Sequence, residues 1–421
     1  MRAGGFPEKQ VRARALGGAA EAFPPVETYG HEVFGQDTSG PDPRGDELDA
    51  ARLVPPVFMP LRLEKLIDLG REPLQSDVDL RTTIGGFSSA LPVFLSAFGS
   101  TRIGSSEVSV AASRQAGALG IPMVIGENVV PVTGYRRDPS ATTGMLARLR
   151  AYLDAADPSL GGVVVQQSTE DADAEVWNLV YSDPAAEPLL AGGRLGFELK
   201  VGQGAKPGLG GLTVLDRATA ARVSEQFALD DLWSQGPGVL RSGSPGTFTD
   251  EILRQQIRFM RNNFPRARIW VKLHPGRDVA QAAACAWEAG ADAVTVDGAE
   301  GGTGWAPRAF LDHVGLPLAE CLRRIGSPAG CLLATGRVWE GVRAVKALAL
   351  GATAVGLGRA ALTAVDADPE HGLRRLVECL AFEVQLLTSA LGKYTPAALS
   401  GEDVWFPGAA DTVPRLRESL T

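Results

Sequence analysis

Short apolar runs alternate with longer amphipathic segments over most of the chain. Eight of these runs are short and rich in β-branched residues, which is typical of buried strands. They span residues 93–97, 122–126, 162–166, 196–201, 268–273, 293–297, 331–335 and 354–357. Helical patterns lie between them, for example at 107–118, 250–262, 278–289 and 339–350. A strand that is regularly followed by a helix predicts a parallel sheet covered by helices.

The number and spacing of these units favour a closed barrel over an open sheet. Eight strands within roughly 265 residues match the size of a (β/α)8 barrel, and no Gly-x-Gly-x-x-Gly fingerprint follows the first strand. The gap at about 202–249 is unusually long, and in a barrel it would lie over the catalytic face. We therefore predict an α/β protein: a (β/α)8 TIM barrel over 91–400 with a long insertion after strand 4.

The flanking segments predict less regular structure. Residues 1–50 are rich in Gly, Pro and charge, which indicates an extended or partly ordered arm. Residues 51–90 carry several prolines around short apolar pieces and predict a segment that wraps the barrel as a lid would. Residues 401–421 are expected to form a C-terminal tail.

Composition excludes several classes of protein. The 421 residues are 45% hydrophobic with a net charge of −8. The sequence shows no stripe of basic residues of the kind that binds nucleic acid. The four cysteines form no C-x-x-C pair, so buried reduced thiols are favoured over a zinc or iron–sulfur site. No secretory signal or membrane span is evident. We expect a cytoplasmic protein, a homo-oligomer, without nucleic-acid or membrane partners and without a bound metal.

Glycine-rich loops follow several of the predicted strands. Residues 292–304 deliver Asp297 and then Gly298, Gly301 and Gly302, which would let the backbone approach a flat or anionic ligand. In barrels, the loops after strands 7 and 8 bind phosphate through backbone N–H groups, and arginines there add charge. Ordinary strand-end turns are the alternative. The residues of these two loops are Gly336, Arg337, Gly341, Gly356, Gly358 and Arg359.

Polar residues inside apolar strands mark the candidate chemistry. Lys272 lies within such a strand, where its cation could stabilise the N1–C2=O edge of a reduced flavin. An internal salt bridge with Asp297 is the alternative. His274 points to the same side and could shuttle protons, or it could be a surface histidine. The loop at 202–211 displays Gln203 and Lys206, which would suit a carboxylate substrate; a flexible surface loop is its alternative.

These motifs resemble the FMN-binding synthase domain of glutamate synthase and its short stand-alone relatives. The stretches 200–211, 271–273 and 297–304 carry the resemblance, and 96–100 and 126–127 are similar to the family's first and second strand loops. The resemblance covers roughly residues 52–400. It implies FMN at the carboxyl ends of the strands and hydride transfer from reduced flavin to 2-iminoglutarate.

The resemblance also implies roles for particular residues. Together with the placement of these residues at strand ends, it leads us to expect that Lys272 would stabilise reduced flavin and that Glu127 or His274 would move the proton. Glu127, Gln203 and Lys206 would face the substrate. The residues that would line FMN are Ser96, Ala97, Gln166, Lys272, Asp297, Gly298, Gly301, Gly302, Gly336, Gly341, Gly356 and Gly358.

Departures from the family pattern shape the functional prediction. The segment after strand 8 has no cysteine cluster, so we expect no 3Fe–4S centre, and we expect no glutaminase domain because residue 1 is Met rather than the family's cysteine nucleophile. The loops at 127–131 and 212–215 differ from the family, which suits a larger or more apolar substrate than 2-oxoglutarate. We predict an FMN-dependent oxidoreductase acting on a C–N bond of an amino or imino acid, with a carboxylate-bearing small-molecule substrate and electrons from a possible donor protein. A C–O or C=C bond, or a flavin-binding subunit of a complex, are the alternatives.

Overall fold

The computed structural model describes residues 6–22, 46–57, 72–98, 106–126, 144–169, 174–204, 213–225, 228–231, 238–242, 248–302 and 306–408. Within these ranges, eight parallel strands close into a barrel in which spatial order follows chain order. The strands are β1 (Val93–Phe98), β2 (Met123–Ile125), β3 (Val163–Ser168), β4 (Leu195–Lys200), β5 (Arg268–Leu273), β6 (Ala293–Asp297), β7 (Cys331–Thr335) and β8 (Ala354–Leu357). The predicted (β/α)8 fold is confirmed.

Helices surround this barrel and pack their apolar faces on it. Helix α8 illustrates why: Thr249 caps its first turn by accepting a hydrogen bond from Ile252 N at 3.2 Å, and Leu253, Ile257 and Met260 form one buried face. The helices are α1 (Glu8–Gly17), α2 (Glu47–Ala50), α3 (Ser106–Ala118), α4 (Met145–Leu153), α5 (Ala174–Ser182), α6 (Glu187–Ala191), α7 (Arg217–Val223), α8 (Asp250–Asn263), α9 (Val279–Glu288), α10 (Arg308–His313), α11 (Leu318–Ile325), α12 (Gly341–Ala349), α13 (Arg359–Ala367) and α14 (Gly372–Ala390).

The half of the barrel interior nearest the amino ends of the strands is apolar, and a hairpin closes it. The hairpin pairs Thr82–Ile84 with Phe87–Ser89 and inserts Ile84 and Phe87 at the amino ends of the strands. The Trp270 indole N–H donates to Gly85 O at 3.0 Å, which fixes the hairpin to β5. The inward residues that form this layer with the hairpin are Phe94, Val124, Val164, Trp270, Ala293, Leu333 and Ala354.

The N-terminal segment contains a packed helix where the sequence predicted a partly ordered arm. Helix α1 lies against α13 and α14. Arg14 forms an ion pair with Glu383 at 2.5 Å, and Arg12 forms one with Asp366 at 2.7 Å. These long-range contacts explain the order of a segment whose own hydrophobic pattern is weak.

The long segment between β4 and β5 carries structure of its own. Thr213–Asp216, Ala228–Asp230 and Gly238–Ser242 form an antiparallel sheet with Gly238–Ser242 in the centre. Near the C-terminus, Val404–Trp405 pairs with Arg52–Leu53. Among the described residues, no helix combines the length and apolarity needed to cross a bilayer.

Candidate active site at the carboxyl ends of the strands

A buried polar layer lies above the apolar layer of the barrel. Because side chains alternate along a strand, the inward residues two positions further on lie nearer the carboxyl ends of the strands. There the inward side chains become polar, although each is at most 6% exposed. Polar groups buried in this way need partners, and a barrel places its active site at this end. We call these residues the polar layer: Ser96, Gln166, Glu198, Lys272, Thr295 and Thr335.

Lys272 is anchored by Asp297 on the neighbouring strand. Its Nζ lies 3.3 Å from Asp297 Oδ2, and both side chains are nearly buried. Asp297 also accepts hydrogen bonds from Thr335 Oγ1 at 2.8 Å and from Gly204 N at 2.9 Å. The structure thus contains the salt bridge that the sequence offered as an alternative. An ammonium has three donors, so this ion pair also leaves Lys272 able to interact with a ligand.

Glu198 is the centre of the polar layer, and the sequence pattern assigned it no role. Its carboxylate accepts hydrogen bonds from Gln166 Nε2 and, at 3.1 Å, from Thr295 Oγ1. Burial raises the pKa of Glu198, and the charge of Lys272 only partly offsets this. The one available signal was an acid at an inward position of an otherwise apolar strand.

Glu198→Gln is expected to stabilise the protein increasingly as the pH rises. The pKa of Glu198 is raised in the folded state above its ordinary value of 4.5. The unfolded chain therefore loses this proton first, and the wild type loses stability as the pH rises from about 4.5 towards the folded-state pKa. Glutamine keeps the shape and does not titrate. Thermal melts at about pH 5 and pH 8 would show a growing gap in favour of Glu198→Gln.

Glu198→Ala is the contrasting variant. It leaves Gln166 and Thr295 without their acceptor and opens a cavity, which costs about 2–4 kcal/mol of unfolding free energy. If the gap between Glu198→Gln and the wild type were the same at both pH values, the titration of Glu198 would not contribute.

Glycines bring the β4 and β6 loops into close contact around Asp297. A Cβ on Gly204 would lie 1.9 Å from Gly298 O, and one on Gly301 would lie 2.5 Å from Asp297 Oδ1. Gly298 N donates to Thr335 O at 2.8 Å. Gly302 packs against Arg359, where a Cβ would lie 2.8 Å from Cγ. Only glycine permits these approaches, so the loops form one surface over the polar layer.

The glycines of the β7 and β8 loops differ in their surroundings. Gly356 is packed in the barrel, since a Cβ there would lie 2.5 Å from Thr335 Cγ2. A Cβ on Gly358 would meet no atom within 4 Å. Gly336 has a positive φ of 136°. The Gly341 amide donates to Glu383 Oε2 at 2.7 Å, so this glycine serves helix packing, and its predicted contact with a cofactor stays a prediction.

The two arginines predicted to bind phosphate already have protein partners. Arg337 Nη1 donates to Asp49 Oδ2 at 2.8 Å. Arg359 Nη2 donates to Glu300 O at 2.7 Å, and its guanidinium lies 4.7 Å from the ring centre of Phe6. Burial lowers the pKa of Arg359. The structure brings both arginines to the β7 and β8 loops, and the N-terminal segment supplies part of their environment.

Several candidate substrate residues lie at the mouth of the barrel. His274 follows β5 and packs on Gly202, where a Cβ would lie 2.7 Å from its Nδ1. Burial lowers the pKa of His274, which favours the neutral imidazole. Lys200, which the sequence pattern left without a role, donates to Gln203 Oε1 at 3.4 Å. Ala97 lies half-buried at the end of β1, whereas Glu127 and Lys206 lie outside the described residues.

Sequence comparison relates the chain to glutamate synthases. A family model described as the conserved region in glutamate synthase matches residues 192–368. An archaeal-type glutamate synthase [NADPH] of Dehalococcoides mccartyi is 34% identical over 54% of this chain and 52% of its own length. An archaeal glutamate synthase [NADPH] of Methanocaldococcus jannaschii is 28% identical over 49% of this chain and 47% of its own length. The chain thus spans about half the length of these curated relatives.

Structural comparison supports the barrel fold. A mandelate oxidase variant with 2-hydroxy-phenylacetamide superposes with a TM-score of 0.53 at 18% identity, covering 86% of this chain and 87% of that one. An oxidised active mutant of (S)-mandelate dehydrogenase gives a TM-score of 0.54 at 18% identity, with 95% and 99% coverage. At this identity the likeness concerns the fold.

Proposed function

From the premise that this chain is a glutamate synthase-like protein, we propose that it is an FMN-dependent oxidoreductase acting on a C–N bond of an amino or imino acid. The observation that carries this proposal is the buried Lys272–Asp297 pair beneath the glycine loops of β4 and β6. FMN, when bound, supplies hydride transfer at its N5 atom. The protein contributes binding, orientation and charge.

The residues at the carboxyl ends of the strands suit such a flavin. Lys272 offers a cation to the N1–C2=O edge, where negative charge develops on reduction. Gly358 lies at the N-terminus of α13, and the space beside it would accommodate a phosphate at that helix end. The polar layer provides amide, hydroxyl and carboxyl groups for the ring system, and the glycine loops exclude bulky side chains.

The mouth of the barrel suits a substrate with a carboxylate. Lys200 and Gln203 lie on the β4 side and would hold this group, together with Lys206. His274 follows the adjacent strand β5, and because burial lowers its pKa its imidazole is neutral and could accept a proton. Glu127 is the second candidate for this proton transfer. The departures at 127–131 and 212–215 favour a side chain other than that of glutamate.

The first experiment is to purify the full chain and record its absorbance from 300 to 700 nm, with released cofactor identified by mass. We expect flavin bands and FMN. Photoreduced protein would then be mixed without oxygen with ammonium and 2-oxo acids of increasing size, and oxidised protein with the matching amino acids. The rate of flavin absorbance change reports the preferred substrate directly.

The outcomes separate the alternatives. A colourless protein that also fails to bind added FMN would overturn the proposal. Flavin that responds to 2-hydroxy acids and ignores amino and imino acids would move the reaction to a C–O bond. Flavin that is retained but responds to none of these compounds would favour a subunit that needs a partner chain.

A further inference from the structure

A short acidic helix is held by cations next to the candidate cofactor loops. Helix α2 (Glu47–Ala50) begins after Asp46, and Leu48 is buried. Arg343 donates to Asp46 Oδ2 at 2.6 Å and to Asp49 Oδ1 at 2.7 Å. Lys346, one turn further along α12, donates to Leu48 O at 2.8 Å. One turn of helix cannot be stable by itself, so these contacts define its position.

Arg343 joins this helix to two loops of the candidate site. Its side chain is 1% exposed. Besides Asp46 and Asp49, it donates to Glu300 Oε1 of the β6 loop at 2.6 Å and to Gly336 O of the β7 loop at 3.0 Å. A guanidinium has five donors in a fixed plane, so this one side chain joins helix α2, the β6 loop and the β7 loop.

The same helix supports an unusual turn after β7. Arg337 has a positive φ of 56°, the one non-glycine residue in this conformation among those described. Such a conformation costs free energy and persists when its surroundings hold it. Arg337 is held by Asp49, whose second oxygen bonds Arg343. Asp49 therefore links the side chain of Arg337 to the buried guanidinium of Arg343.

Two acidic side chains of this cluster have shifted pKa values. Burial raises the pKa of Glu300, Arg343 opposes this shift, and the nearby Asp46 adds to it. Although burial acts in the opposite direction, hydrogen bonding from Arg343 lowers the pKa of Asp46. Arg343 and Arg337 thus face Asp46, Asp49 and Glu300 within one mostly buried cluster.

We infer that helix α2 is a clamp that positions the β6 and β7 loops for the cofactor, with Asp49 and Arg343 as its positioning residues. This inference rests on the proposed function, because it concerns the affinity for FMN. Glu300 transmits the clamp to the β8 loop, since its carbonyl accepts the hydrogen bond from Arg359. The clamp acts on the backbone of these loops and on the arginines beside them.

Asp49→Asn tests the clamp. It removes the charge from both arginine contacts and keeps the side-chain shape. We expect the dissociation constant for FMN, measured by fluorescence titration of the apoprotein, to rise about tenfold, the scale of one charge-assisted hydrogen bond. Amide hydrogen exchange in 298–302 and 336–338 should accelerate. Asp49→Glu restores the charge and should recover most of the affinity.

Asp366→Asn is the matched control. It also breaks an Asp–Arg pair between the N-terminal segment and a barrel helix, at 2.7 Å from Arg12, but it lies at the opposite end of α13 from Arg359. Equal FMN affinity and equal loop exchange in the two asparagine variants would overturn the clamp. If the wild type itself bound no FMN, the proposed function would fail with it. If Asp49→Asn did not fold, Asp49→Glu would carry the test. Wild-type affinity for FMN in that variant would support the charge requirement, and a tenfold or larger rise in its dissociation constant would refute it.

Discussion

Lys272→Met is expected to slow flavin reduction by substrate about a hundredfold, the scale lost when one positioned charge no longer stabilises a developing anion. Methionine approximates the length of the side chain and removes the ammonium 3.3 Å from Asp297. The barrel should still fold, because Asp297 keeps its hydrogen bonds from Thr335 and Gly204. The measurements are anaerobic stopped-flow absorbance and the flavin midpoint potential, which should become more negative.

The control for this variant is Lys393→Met. Lys393 also pairs with a carboxylate, 4.0 Å from Asp403, but lies after α14 and outside the polar layer. Asp297→Asn gives an independent check on the sign of this effect. It removes the anion next to Lys272, so the midpoint potential of the flavin should become more positive. If the midpoint potential and the rate of flavin reduction were unchanged in Lys272→Met, the role of Lys272 would be only structural, as the partner of Asp297.

The strands were the part of the fold that the sequence predicted best. Strands β5 and β6 have the bounds that their apolar runs predict, and β1 extends one residue beyond its prediction. The reason is physical: a parallel strand is buried on both faces, so nearly every position is apolar and the run has clear ends. Helix α12 begins two residues later than predicted, because the backbone of Glu340 is extended and Glu340 is its N-cap.

The N-terminal segment could not be predicted in the same way. The order of helix α1 depends on pairs such as Arg14–Glu383, whose members are 369 residues apart in the chain. Helix α2 is a single turn held by Arg343 of α12. Neither helix has a local signal strong enough to overcome the entropy of a chain rich in glycine and proline. Their positions follow from the finished barrel.

The candidate site was partly predictable for a related reason. Lys272 pairs with Thr295 across β5 and β6, so Asp297, two residues on, could be placed near it from strand order alone. The role of Glu198 could not be read from strand order alone, because Gln166 reaches it from the neighbouring β3 and Thr295 reaches it from β6, two strands away. The glycine motifs predicted close approach, but only the structure separates Gly356, packed inside the barrel, from Gly358.

Gly358→Ala is expected to weaken FMN binding by about tenfold or more while the apoprotein still folds. A Cβ at this position meets no protein atom within 4 Å, but φ of −110° and ψ of −93° lie outside the backbone regions that alanine prefers. The variant should therefore lose about 1–3 kcal/mol of unfolding free energy through backbone strain and still fold. A phosphate at the N-terminus of α13 would, however, lie where the methyl group projects. Fluorescence titration with FMN and thermal melts of the apoprotein measure the two effects separately.

Two further glycines make this test discriminating. Gly401→Ala also adds a methyl group that meets no atom within 4 Å, but it lies in the C-terminal segment, so both the affinity and the melting temperature should stay near those of the wild type. Gly356→Ala places its Cβ 2.6 Å from Phe94 Cζ, so it should lose about 1–3 kcal/mol of stability by overpacking. Wild-type affinity in Gly358→Ala would place the phosphate elsewhere. Because Gly356→Ala and Gly358→Ala are expected to lose similar amounts of stability, a larger loss of FMN affinity in Gly358→Ala than in Gly356→Ala would place the phosphate beside Gly358.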